Sequence, residues 1–257
     1  MIINPQLIGL YTIVRRELIR MFRIASQVFL PPVITTLLYF LIFGAIMGQR
    51  IGLIEGVNYT LFIAPGLVMM AVITNAYSNV STSLFSVRFQ RSVEEVLISP
   101  MHYSLILLGY TLGGILRGTI VAVLVFIVAF FFLDIELKTL PMTLVVVVLV
   151  AALFSLAGFA NGMVARNFDD VALVPTFVLA PLTYLGGVFY STTMLPPVWK
   201  DLTYFNPIFY MVNALRHVMI GQEEVNMVLA MSIICFMIAV LISFNLMLLK
   251  KGTGLRE

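Results

Sequence analysis

Few residues in this sequence have the chemistry to catalyse a reaction or hold a cofactor. There are two histidines, His102 and His217, and one cysteine, Cys235. A lone cysteine forms no intrachain disulfide, and no His/Cys spacing suits a metal; Cys235 reads as a small apolar residue in a helix. There is no G-x-x-x-x-G-K-S/T phosphate loop, no G-x-S-x-G elbow and no H-E-x-x-H zinc helix. What remains is charge in particular places. Arg117 stands inside a long apolar run, and a guanidinium there is a functional candidate because an unpaired charge in lipid is costly. Gly113, Gly114 and Gly118 surround it and could let a second helix approach or bend the run. Snorkelling to an interface and simple structural pairing are the competing readings.

Two polar loops are the other candidates. In FQRSVEEVLISP, residues 89–100, one helical face carries Phe89, Val93, Val96 and Leu97. The other carries Arg88, Arg91, Ser92 and Glu95, with Arg91 and Glu95 spaced to pair, and Pro100 ends the helix. Such a helix suits the docking of a soluble partner; an ordinary solvated loop helix is the alternative. The tight turn at 165–170, with Arg166, Asp169 and Asp170, could touch the same partner or simply close a hairpin.

These residues must be held by elements that live in lipid. Of 257 residues, 61% are hydrophobic and 11% charged, too few charges to cover a soluble core of this size. A spanning helix needs about 20 mostly apolar residues. Six segments qualify: 24–47, 59–84, 104–133, 140–165, 171–190 and 225–249. With six spans, ten Lys and Arg fall on the side of the termini and four on the other, whereas the acidic residues divide six and six. That bias predicts both termini in the cytoplasm. It also puts His102 and His217 on opposite sides, so they form no common site. No acidic residue falls deep in any predicted span, which argues against a proton-coupled carrier or an intramembrane protease. The scattered basic residues, with no aromatic-studded stripe, argue against nucleic acid.

Two flanking elements are expected. Residues 1–23 are amphipathic, with Leu7, Tyr11, Val14, Leu18 and Met21 on one face and Thr12, Arg16, Arg20 and Arg23 on another. This predicts a helix lying in the membrane surface, or else a plain orientation signal. No cleavable signal sequence is expected, because the first apolar run is long and follows a basic stretch. Before the last span, residues 205–220 are apolar but too short to cross, and Asn206-Pro207 breaks any helix ahead of them. A re-entrant or interfacial element is expected there. The fold class is therefore an all-α membrane protein with six transmembrane helices, an N-terminal interfacial helix and a re-entrant external element.

The loop at 89–100, the stretch RNFDDVALVPTFVLAPLTYLGGVFYS at 166–191 and the tail MLPPVWKDLTYFNPIFYMVNALRH at 194–217 together resemble the permease subunits of ABC type-2 transporters. The resemblance covers almost the whole chain. It implies one transmembrane domain over 1–257: a connecting helix at 1–23, a six-span bundle at 24–249 and a cytoplasmic tail at 250–257. It implies an inner-membrane exporter without enzyme activity of its own. Two permease chains would pair with two ATPase chains, which bind the ATP and Mg. The 89–100 loop becomes a coupling helix, with Arg91, Glu94, Glu95 and Pro100 as its candidates. Arg166, Asp169 and Asp170 would lie beside it, and Asn206, Pro207 and Arg216 would belong to the re-entrant pair. The cargo would be a lipid, a glycan or a drug-like molecule. A stand-alone carrier or channel, an intramembrane enzyme and a scaffold without transport remain alternatives.

Overall fold

The computed structural model describes residues 5–90, 101–133 and 139–252. The expected coupling residues Arg91, Glu94, Glu95 and Pro100 lie outside the described residues. The helices are α1 (Pro5–Arg23), α2 (Ala25–Tyr39), α3 (Gly48–Ile51), α4 (Tyr59–Phe89), α5 (Tyr103–Phe132), α6 (Leu140–Val164), α7 (Phe168–Val174), α8 (Ala180–Tyr184), α9 (Pro197–Phe205), α10 (Pro207–Ile220) and α11 (Met227–Lys251). A π-helical stretch, Phe40–Met47, prolongs α2, and another, Pro175–Leu179, joins α7 to α8. A two-residue hairpin, β1 (Leu53–Ile54) and β2 (Val57–Asn58), precedes α4. Its turn places Glu55 and Gly56 at φ 51° and 82°, the positive dihedrals that tight hairpins require.

Local chemistry sets the ends. Asn58, Asn167, Asn206 and Asn226 accept a backbone N–H at the starts of α4, α7, α10 and α11, satisfying amides that an exposed helix end would leave open. Gly221 and Gly252 close α10 and α11 in the left-handed conformation. The prolines in α2 and the π stretches lie where a spanning helix loses its regular ladder.

Five helices are long and apolar enough to cross a membrane: 25–44, 59–89, 103–132, 140–164 and 227–251. They match the first four expected segments and the last to within a few residues. The segment expected at 171–190 is helical from Phe168 to Tyr184, in stretches of seven, five and five residues, and then turns through Gly187 at φ 72°. It nevertheless runs the height of α4. Phe168 packs on Phe85 and Phe89 at one end, and the Phe189 carbonyl accepts from the Tyr59 hydroxyl at the other, 3.2 Å away.

The core lies along α4. Of its most apolar stretch, 72% is buried, against 11% for α11, so α4 is the axis and α11 faces outward. In lipid, helix association relies on close backbone approach, because apolar side chains gain little by leaving hydrocarbon tails. Gly158 of α6 lies directly against the Tyr77 carbonyl of α4, leaving no room for a Cβ. The helical hairpin α9–α10 enters the bundle at its tip: Pro207 and Ile208 share an apolar cavity with Leu153 and Phe154 of α6 and with Met237 and Leu241 of α11, residues near the middle of both helices.

The α4–α6 contact yields a test. Gly158→Ala should destabilise the purified protein by about 2 kcal/mol through overpacking, seen as a lower Tm in detergent, whereas Cys235→Ala on the exposed face of α11 should leave Tm unchanged.

Candidate functional site

The described polar residues concentrate on one side of α4. Asn75, Asn79 and Ser83 recur every four residues, so they form one line along the helix. Each meets a charge from another element. Arg117 of α5 donates from Nη2 to Asn75 Oδ1 at 3.1 Å. Arg20 of α1 donates from Nη2 to Asn79 Oδ1 at 2.8 Å and to the Asn79 carbonyl at 3.1 Å. Ser83 donates to Glu17 Oε1. Arg117 therefore lies midway along its helix, where Asn75, a neutral side chain, accepts from it.

Glu17 is the residue that sequence reading missed. It is 2% exposed and is held by Arg20 Nη2 at 2.8 Å, Ser83 and the Asn79 amide at 3.5 Å. Its seat is made by glycine: Ile13 and Glu17 press on Gly109 and Gly113 of α5, where a Cβ would come within 2.8 and 2.9 Å of them. The buried face of α1 is thus Ile13, Glu17 and Met21, while Leu7 and Tyr11 of the expected apolar face are 58% and 65% exposed. Arg16 completes the group, donating to the Tyr110 hydroxyl at 2.6 Å. The signal was present in sequence: Gly109 and Gly113 at helical spacing, two amides and a serine at the same spacing in α4, and a Glu one turn before Arg20. None of it indicates contact without the fold.

Two cavities flank this seam. A cleft of about 270 Å³ lies between α2 and α4 and is lined by Gln27, Thr35, Thr74, Asn75, Ser78 and Arg117 among others. A bowl of about 550 Å³ lies at the Phe89 end, where Arg15, Arg16, Arg20 and Arg23 face Ser83 and Ser86.

The remaining candidates are placed apart from the seam. Arg166 and Asp169 are exposed. Asp170 accepts the Arg166 amide at 2.9 Å, and its own amide donates to Asn167 at 2.7 Å, so the 165–170 turn is a helix cap. It is tied to α4 by Arg88, which donates to the Gly162 and Ala165 carbonyls at 2.6 and 3.1 Å. At the opposite end, Asn206 donates to the Leu182 carbonyl at 2.6 Å, and Pro207 opens α10. Arg216 is fully buried. It donates to the Gly187 carbonyl at 2.7 Å, pairs with Glu224 at 3.5 Å and sits 3.9 Å over the Phe62 ring. Glu224 in turn accepts from Thr192, and Glu55 accepts from Ser191. Arg216 is therefore the clasp of the outer layer. No group of three or more His, Cys, Asp or Glu that could hold a metal occurs among the described residues.

Replacing the carboxylate by an amide removes the charge that Arg20 and Ser83 share, and leaves Arg20 with Asn79 alone as a fixed acceptor. Glu17→Gln should cost about 2 kcal/mol, the scale of a hydrogen bond to a charged group, and lower Tm. A double-mutant cycle with Ser83→Ala should show positive coupling between the two positions; independent effects would place Glu17 outside the seam.

The sequence model of the ABC-2 type transporter family matches residues 9–220. The chain is 46% identical to the inner membrane transport permease YadH of Escherichia coli K12, over 97% of this chain and 98% of that one. It is 23% identical to nodulation protein J of Rhizobium leguminosarum bv. viciae, over 81% of each chain. It is 22% identical to nodulation protein J of Rhizobium meliloti, over 86% of this chain and 85% of the relative. A bundle of long apolar helices, matched over nearly its whole length, makes this chain a multi-pass membrane protein of the ABC-2 type transporter family.

Proposed function

We propose that this chain is the permease subunit of an ATP-driven exporter in the inner membrane, working as a homodimer with two copies of a separate cytoplasmic ATPase. The observation that carries this reading is the near full-length likeness to an inner membrane transport permease. The sequence has no phosphate loop, so ATP and Mg would be bound by the partner. The cargo class is an amphiphile: a lipid, a glycan on a lipid carrier or a drug-like molecule.

In this reading the chain makes six passes with both termini in the cytoplasm, and the kinked 168–184 segment is the fifth. Its course beside α4, from Phe85 to Tyr59, supports a crossing, as does the basic bias of the terminal side. The α9–α10 hairpin is the re-entrant element, consistent with its tip lying among the middle residues of α6 and α11. Irregular backbone at that depth is tolerated where protein surrounds it; the Asn206 cap and its bond to Leu182 provide for the open groups.

The coupling surface is assigned to Arg91, Glu94, Glu95 and Pro100, with Arg166, Asp169 and Asp170 beside it. The 89–100 loop leaves α4 and the 165–170 turn leaves α6, and Arg88 joins those two helix ends through the Gly162 and Ala165 carbonyls. A push on the 89–100 loop would act directly on α4, and through Asn79 and Ser83 on α1.

The test is charge reversal. Glu94→Arg with Glu95→Arg should reduce recovery of the co-expressed ATPase in a pull-down by about tenfold, equivalent to about 1.4 kcal/mol, and abolish ATP-dependent transport in vesicles. Unchanged association and transport would remove the loop from coupling. Transport in vesicles without any ATPase would favour a stand-alone carrier.

A further inference from the structure

Arg117 presents an imbalance that the family assignment does not explain. Among the described residues its one hydrogen-bond partner is neutral: Asn75, through Nη2. Among the described residues its Nε is buried without a hydrogen-bond partner, as are Nε of Arg20 and of Arg216. Among the described residues Arg117 makes no ion pair. The nearby carboxylate, Glu17, is already engaged by Arg20 and is also within 3.8 Å of Arg16. The seam thus holds one carboxylate, shared by Arg20 and Arg16, and a third guanidinium, Arg117, that pairs with none among the described residues. A guanidinium stays charged at any working pH, and an uncompensated charge at this depth is costly.

The cleft at Arg117 has the parts of an anion site. Ser78 and Gln27 add donors beside the guanidinium, and a guanidinium with flanking donors matches an anion that has several acceptor oxygens. The mouth is on α2, where Gln27, Pro31 and Thr35 are exposed. Along the same helix Leu30, Ile34 and Leu38 are about half exposed, at 52%, 50% and 53%, an apolar rail next to a polar pocket. At the Phe89 end, the bowl of Arg15, Arg16, Arg20 and Arg23 would gather anionic headgroups from the membrane surface.

We propose that the Arg117 cleft binds the phosphate-class head of an anionic amphiphile, which arrives by way of the arginine bowl and lays its tail along α2. The proposal names a ligand chemistry for the transport reading, but its test needs neither ATPase nor transport, so the two can fail separately.

The test is binding to the purified full chain in detergent, by native mass spectrometry, with dioleoylphosphatidic acid against dioleoylglycerol. The tails are identical and only one carries phosphate. The wild type should prefer the phosphate lipid by about tenfold or more in Kd. Arg117→Gln should remove the preference and Arg117→Lys retain part of it. Ser78→Leu, which fills the cleft and keeps every charge, should also remove it, and covers the case in which Arg117→Gln fails to fold. Displacement of the lipid by millimolar inorganic phosphate would support the site and show that it reads the anion alone. Failure of phosphate to displace it, with the preference intact, would support a lipid-borne source. Equal binding of the two lipids by the wild type, or a preference that survives both Arg117→Gln and Ser78→Leu, would overturn the proposal.

Discussion

Hydrocarbon offers no partner to a polar side chain, so a spanning helix that carries Asn75, Asn79 and Ser83 on one line needs those groups met by protein. In this chain they are met by charges from two other elements. Arg117 reaches Asn75 from α5, and Arg20 and Glu17 reach Asn79 and Ser83 from α1. Much else follows from that constraint. Helix α1 cannot be a loose surface anchor, because its carboxylate is buried against α4. Helix α5 must carry Gly109 and Gly113 where α1 presses on it. The ends of α4 are tied as well, through Arg88 to the α6 terminus and through Tyr59 to the 185–190 turn.

The two ends of the bundle use different chemistry. The end opposite Phe89 is closed by one ion pair, Arg216–Glu224, and by hydrogen bonds among Thr192, Ser191, Glu55 and the Gly187 carbonyl. These contacts bind the β hairpin, the turn after α8 and the α10–α11 connection into one unit. The end at Phe89 is basic and contains an arginine-lined bowl. The arginine bowl and the Arg216 clasp thus stand at opposite ends of the bundle. The seam lies between the two, and α1 is the element positioned to sense a displacement of α4.

Periodicity groups side chains that the bundle then treats differently. Leu7 and Tyr11 share an apolar face with Met21 on a helical wheel, but only Met21 is buried. Helix α1 meets the bundle along the Ile13, Glu17 and Met21 line, and the rest of the expected apolar face remains outside, where lipid is an adequate solvent for it. The fifth expected span likewise divides into short α and π stretches, because Pro175 and Pro181 interrupt its ladder. Hydropathy reports residence in lipid and says nothing about how regular the helix is.

The sequence by itself determined the class of molecule. Its apolar helices of 20 to 31 residues are long and apolar enough to cross a membrane, and the helix break at Asn206-Pro207 is written there as well. The motifs at 166–191 and 194–217 identified the family. Arg117 was legible as a candidate because a charge is conspicuous in an apolar run. Tertiary structure alone decided that Glu17 is buried, that Arg20 meets Asn79 and that Arg216 clasps the end of the bundle opposite Phe89. Those facts depend on which helices touch. In lipid that choice is made by glycine-sized gaps and by polar groups seeking partners across the bundle; both recur at helical spacing here, but spacing does not say which helix will be the partner.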